Sequence, residues 1–220
     1  MHPLASFCHK VLIALYENET PFEPLRIDKA DSASTARLRE HWPVGKIPVL
    51  HDSSNDRVIA ETSIIIEYLD QHYPGPVPML PQDRDAALEV RLWDRFFDLY
   101  VSVPMQKIVA DRLRPETSLD PFGVEEARSS LDLAYTMIET QLSSRMWACG
   151  NDFTMADCAA APALFYAAIL QPFTADTPAL SAYFERLMAR PSVVRVIDEA
   201  RPYFHMFPYQ HAMPPRFLQG

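Results

Sequence analysis

The sequence predicts an α/β unit over residues 1–73 followed, after a linker at 74–83, by an all-helical unit over 84–220. Three observations predict it. Residues 1–73 mix short apolar runs of strand length with helical spacing. His72–Asp83 (HYPGPVPMLPQD) carries four prolines and one glycine, which suits neither a helix nor a central strand. Beyond it, long apolar-periodic segments follow one another with no strand pattern between them.

In chain order, residues 1–9 read as irregular. Lys10–Asn18 places Val11, Leu12, Leu15 and Tyr16 at helical spacing. Pro21–Ile27 alternates like a short strand, and Ala36–His41 is a polar helix ended by Trp42-Pro43. Ile47–Leu50 and Val58–Ala60 flank the polar turn His51–Arg57 and read as a hairpin. Pro48 cannot donate to a ladder, so it belongs at a strand entry or edge or in a cis turn. Glu61-Thr62-Ser63 then opens an apolar helix, with Thr62 or Ser63 as its cap. Spare N–H donors at that positive end suit a small carboxylate. A strand edge beside it suits an extended peptide, while an ordinary hairpin and capped helix is the plainer reading.

In the second unit, Arg84–Arg112 is long, with Leu88, Leu92, Phe96, Leu99 and Tyr100 on one stripe and Pro104 as a kink or interruption. Val124–Ser143 is a second helix. Thr154–Leu170 is apolar nearly all round, which predicts a buried central helix. Thr154 and Asp157 have the spacing of a capping box. Ala179–Arg190 and Ser192–Ala200 complete the bundle, and residues 202–220 form a proline-bearing tail.

Composition narrows the function classes. A net charge of −9 without a basic run gives nucleic-acid binding no support. No run of about eighteen apolar residues predicts a membrane span, and the first residues lack a signal-peptide pattern. Three cysteines (Cys8, Cys149, Cys158) without a CxxC favour a reducing compartment, so a cytoplasmic location is expected. Five glycines form no phosphate-binding loop, and seven histidines show no ligand spacing, so no metal is expected.

Four stretches, HPLASFCHKVLIALYE, GKIPVL, ETSIIIEYL and FTMADCAAAPAL, together resemble the cytosolic glutathione S-transferase family in order and spacing along nearly the whole chain. The resemblance implies a thioredoxin-like N-terminal domain, an all-helical C-terminal domain, a homodimer, and glutathione with a small electrophile as partners. It implies that Pro48 is the family's cis-proline, with Val49 pairing with the cysteinyl backbone of glutathione. Glu61 and Thr62 match the pair that holds the γ-glutamyl end, and Lys46 is placed to meet the glycyl carboxylate or to be a solvated turn lysine. Trp93, Phe97, Tyr100, Met105, Arg112 and Tyr166 sit on helices that face the second substrate in the family, or else form bundle core.

Two departures stand out. The family's usual thiol-activating position holds Ala5, which has no donor for a thiolate. Three readings follow: Ser6 supplies a hydroxyl or backbone N–H, the first helix N-terminus suffices, or glutathione is bound without efficient transfer chemistry. Cys8 either packs as a small buried residue or forms a mixed disulfide with glutathione. The family's first strand is also missing or truncated, since only Met1 and His2 precede the match. Either the natural start lies upstream or other residues fill the gap, because unpaired inner-strand groups cost about 1–3 kcal/mol each.

Overall fold

A computed structural model describes residues 1–28 and 31–219. The first part of the chain folds as α1 (Ser6–Glu17), α2 (Ser32–His41), β1 (Val49–Asp52), β2 (Arg57–Ala60) and α3 (Thr62–His72). The two strands pair antiparallel, with Val49 opposite Ala60 and Asp52 opposite Arg57. The Ile47–Pro48 peptide at the entry to β1 is cis. Among the described residues β1 has a strand on one side only.

The expected strand at Pro21–Ile27 does not form. Among the described residues its main chain bonds only to Met1, whose ammonium donates to the Leu25 carbonyl at 2.6 Å and whose carbonyl accepts from the Ile27 N–H at 2.8 Å. These two bonds make no ladder, and among the described residues the sheet is two-stranded. The first helix begins four residues earlier than the apolar spacing predicts, because Ala5 is extended and its carbonyl receives the Cys8 and His9 amides.

The rest of the described chain adds α4 (Arg84–Phe96), a π-helical segment (Phe97–Ser102), α5 (Val103–Arg112), α6 (Pro121–Leu142), α7 (Met155–Leu170), α8 (Pro178–Met188), α9 (Pro191–Ala200) and α10 (Pro215–Leu218), with short 3₁₀ turns between and after them. Pro104 has no N–H to return to the preceding turn. The backbone widens just before it, and the Val103 amide bonds the Asp98 carbonyl five residues back. The expected interruption is therefore a π bulge and not a break.

The face that α4 buries differs from the one its leucines suggest. Ala87, Val90, Trp93, Asp94 and Phe97 are buried, whereas Leu88, Leu92, Leu99 and Tyr100 are exposed. Phe96 is the one member of the expected stripe that lies inside. Helix α7 is the centre of the core, with every side chain but Ala168 buried, and α1 packs directly on it. Met79, in the proline-rich stretch after α3, is tied to both α3 and α7. Asp70 receives the Met79 amide at 2.7 Å, the Met79 carbonyl receives the Met155 amide at 3.0 Å, and the Met79 side chain is fully buried. Gly75 is required here, since a Cβ would lie 2.4 Å from the Asn18 Cα at the end of α1.

Candidate functional site

Glu61 precedes α3 with φ +66°, a left-handed backbone rare for a side chain of its kind. It occupies the cap position but makes no capping bond, and no acidic residue lies in the first turn. The Ile65 amide bonds the Glu61 carbonyl at 2.8 Å, whereas the amides of Thr62, Ser63 and Ile64 find no acceptor among the described residues. The expected cap by Thr62 or Ser63 is thus not made: both lie inside the helix, and the Ser63 hydroxyl is turned to Asp94 at 2.5 Å. Thr62 is buried and Glu61 exposed. An open helix start of this kind attracts carboxylates.

Helix α1 opens the same way. Ala5 caps it without a side-chain bond, and the Ser6 and Phe7 amides find no acceptor among the described residues. Ser6 is nearly buried, and its hydroxyl accepts from Gln106 Nε2 on α5 at 3.4 Å. Cys8 is fully buried, and burial pushes its thiol up to about 11. An inert, inaccessible thiol suits the packing reading. His9 is also buried, and burial lowers it to about 4, so it is a neutral imidazole bonded to the Pro3 carbonyl at 2.5 Å.

A buried charge network, unforeseen from the sequence, ties the two helix starts together. Lys10, one turn into α1, lies 2.6 Å from Asp94 and 2.8 Å from Asp98, and donates to the Ser63 hydroxyl at 3.2 Å. Arg95 closes the ring from outside, reaching Asp98 at 3.0 Å and Ser63 at 3.4 Å. Burial raises the Asp98 carboxyl and the Lys10 ammonium opposes that rise. The signal in the sequence is a lysine beside the apolar run VLIAL and two aspartates four apart on the next long helix.

Lys46 is exposed, next to Gly45 at φ +71°, and Val49 and Pro48 are half-buried. The six residues assigned to the second substrate do not line one open cleft. Trp93, Phe97, Met105 and Tyr166 are buried in the core, and only Tyr100 and Arg112 are exposed. Tyr166 lies between His9, Phe165 and Phe207, with its hydroxyl unpartnered. The family resemblance made these candidates, and aromatic and methionine side chains on bundle helices serve equally well as core. A surface hollow of about 440 Å³ lies elsewhere, bordered by Phe173, Phe184, Glu185 and Arg216. Among the described residues no three acidic, histidine or cysteine side chains are grouped to hold a metal ion, and no helix is long and apolar enough to cross a membrane.

The start of α7 is closed. Thr154 and Asp157 form the expected capping box. The Asp157 carboxylate also accepts from the Ala148 amide at 2.9 Å and the Tyr183 hydroxyl at 2.6 Å.

Comparison with known proteins bears on the fold and the family. Residues 2–77 match a model of the glutathione S-transferase N-terminal domain, and residues 122–191 a model of the C-terminal domain. Glutathione S-transferase GstB of Escherichia coli is 23% identical, over 86% of this chain and 91% of its own. A stringent starvation protein A homolog of Haemophilus influenzae is 28% identical, over 89% and 87%. A crystal structure of a glutathione S-transferase from Methylobacterium radiotolerans in complex with glutathione sulfonate is 27% identical, with a TM-score of 0.76 over 89% of this chain and 92% of that one. A thioredoxin-like unit reduced to two strands, an attached helical bundle and matches to both domain models lead to one conclusion: the chain belongs to the glutathione S-transferase family.

Proposed function

We propose that this protein binds glutathione at the start of α3 and promotes attack of its thiolate on a small electrophilic carbon. The observation that carries the reading is the open α3 N-terminus beside β1. Glu61 meets the ligand's ammonium, and Thr62 with the free amides meets the γ-glutamyl α-carboxylate. Val49 pairs through its main chain with the cysteinyl unit, and Lys46 meets the glycyl carboxylate. The thiolate lies by the start of α1, stabilised by the Ser6 hydroxyl and the open amides there. It attacks the electrophilic carbon, the carbon–leaving-group bond breaks, and a thioether forms. Ether cleavage, dehalogenation or isomerisation would draw on the same thiolate.

A second reading rests on Ala5: glutathione is held without turnover, in a ligand-carrying or regulatory protein. We also propose a homodimer. Leu88 and Leu92, four apart on α4, and Tyr100 beyond them form an exposed apolar stripe that a second copy would cover. Calorimetric titration with glutathione tests the site, and no heat at millimolar ligand would sink both glutathione readings. Given binding, turnover of any member of a panel of aryl halides, epoxides and activated alkenes supports the enzyme. Binding without turnover supports the carrier.

A further inference from the structure

Helix α5 sends one polar side chain to the hydroxyl on which the proposed thiol chemistry depends. Gln106 Nε2 donates to Ser6 Oγ at 3.4 Å, across a hundred residues of sequence. Gln106 lies one turn beyond Ser102 and the π segment that re-phases the helix ahead of Pro104. The geometry points to Gln106 as a positioning residue for glutathione activation, and this rests on the reading of Ser6 given above.

The chemistry follows from the direction of the bond. A serine oxygen has one proton and two lone pairs. An amide N–H pointed at the oxygen occupies a lone pair and turns the hydroxyl proton away from Gln106. That leaves the proton for an acceptor at the α1 start, where the Ser6 and Phe7 amides also lack partners among the described residues. A thiolate there gains a hydrogen bond whose donor is already aimed, and its pKa falls accordingly. Gln106 is exposed and outside the core, so its side chain can be changed with little effect on folding.

The experiment reads the pKa of bound glutathione from the ultraviolet absorbance of the thiolate across pH, in the full-length protein. Gln106→Met keeps the length and loses the donor, and should lower the thiolate fraction at fixed pH below the pKa by about threefold. Gln106→Glu reverses the bond, since its carboxylate accepts the Ser6 proton, and should lower that fraction about tenfold or more. The deciding measurement repeats Gln106→Met in a Ser6→Ala background, where it should have no effect. An equal effect in both backgrounds, or none in either, overturns the inference. A Ser6→Ala variant with an unchanged thiol pKa also overturns it, while leaving glutathione binding intact. Failure of the unaltered protein to bind glutathione removes the underlying reading, and that outcome is distinguishable because it precedes any variant.

Discussion

Helices α7 and α3 each begin with a buried threonine, and they use it in opposite ways. At α7, Thr154 is the cap itself, Asp157 closes the box, and the surrounding donors Ala148 and Tyr183 are drawn in as well. At α3, Thr62 is already helical, the residue three positions on is Ile65, and the first amides stay open. The closed start sits at the centre of the core, where an unmet amide costs about 1–3 kcal/mol. The open start adjoins Glu61, which is exposed, and can tolerate the vacancy because water or a ligand reaches it. A helix start filled by its own side chains serves stability, and the unfilled one is where we propose that glutathione binds.

Removing the acid from the closed start should have the largest effect. Asp157→Ala strands the Ala148 and Thr154 amides and the Tyr183 hydroxyl, and should cost about 3–5 kcal/mol in urea unfolding. A loss below about 1 kcal/mol would break the comparison. Next comes the packing beneath the α1 start. His9 titrates near 4 in the fold against an ordinary 6.5, so as pH falls the unfolded chain takes the proton first. Its contribution is complete above 6.5 and drains away as pH falls through the folded value. The total is about 3 kcal/mol. Unfolding free energies measured between neutral pH and pH 4 should show this slope, and His9→Gln should flatten it. The smallest effect sharpens the contrast at the open start. Thr62→Val should weaken glutathione binding about tenfold, about 1.4 kcal/mol, with a stability change below about 1 kcal/mol. A large loss of stability with unchanged affinity would make α3 a second structural start.

Local features were legible because they are written in adjacent residues. The hairpin, the helix after Glu61 and the Thr154–Asp157 box all rest on spacings of a few positions. The face of α4 was not legible. Its exposed leucines outweigh the buried Asp94 in any apolar pattern, and Asp94 is inside because Lys10, from α1, and the Ser63 hydroxyl, from α3, meet it there. The same distance hid Gln106, whose contact with Ser6 spans a hundred positions. The strand expected at Pro21–Ile27 failed for a related reason. Alternation states a preference, but a strand needs a ladder of partners, and among the described residues the main chain of 21–27 makes only its two bonds to Met1.

The network around Lys10 also limits how this fold can be divided or exchanged. Its ammonium is on α1, and both of its carboxylates lie beyond the linker, on α4 and the π segment. A chimaera joining residues 1–80 to a foreign helical half would inherit a positive charge in a dry interior without its counterions. The three residues form one heritable unit scattered over two stretches of chain, so compatible halves must be sought among sequences that carry all three together.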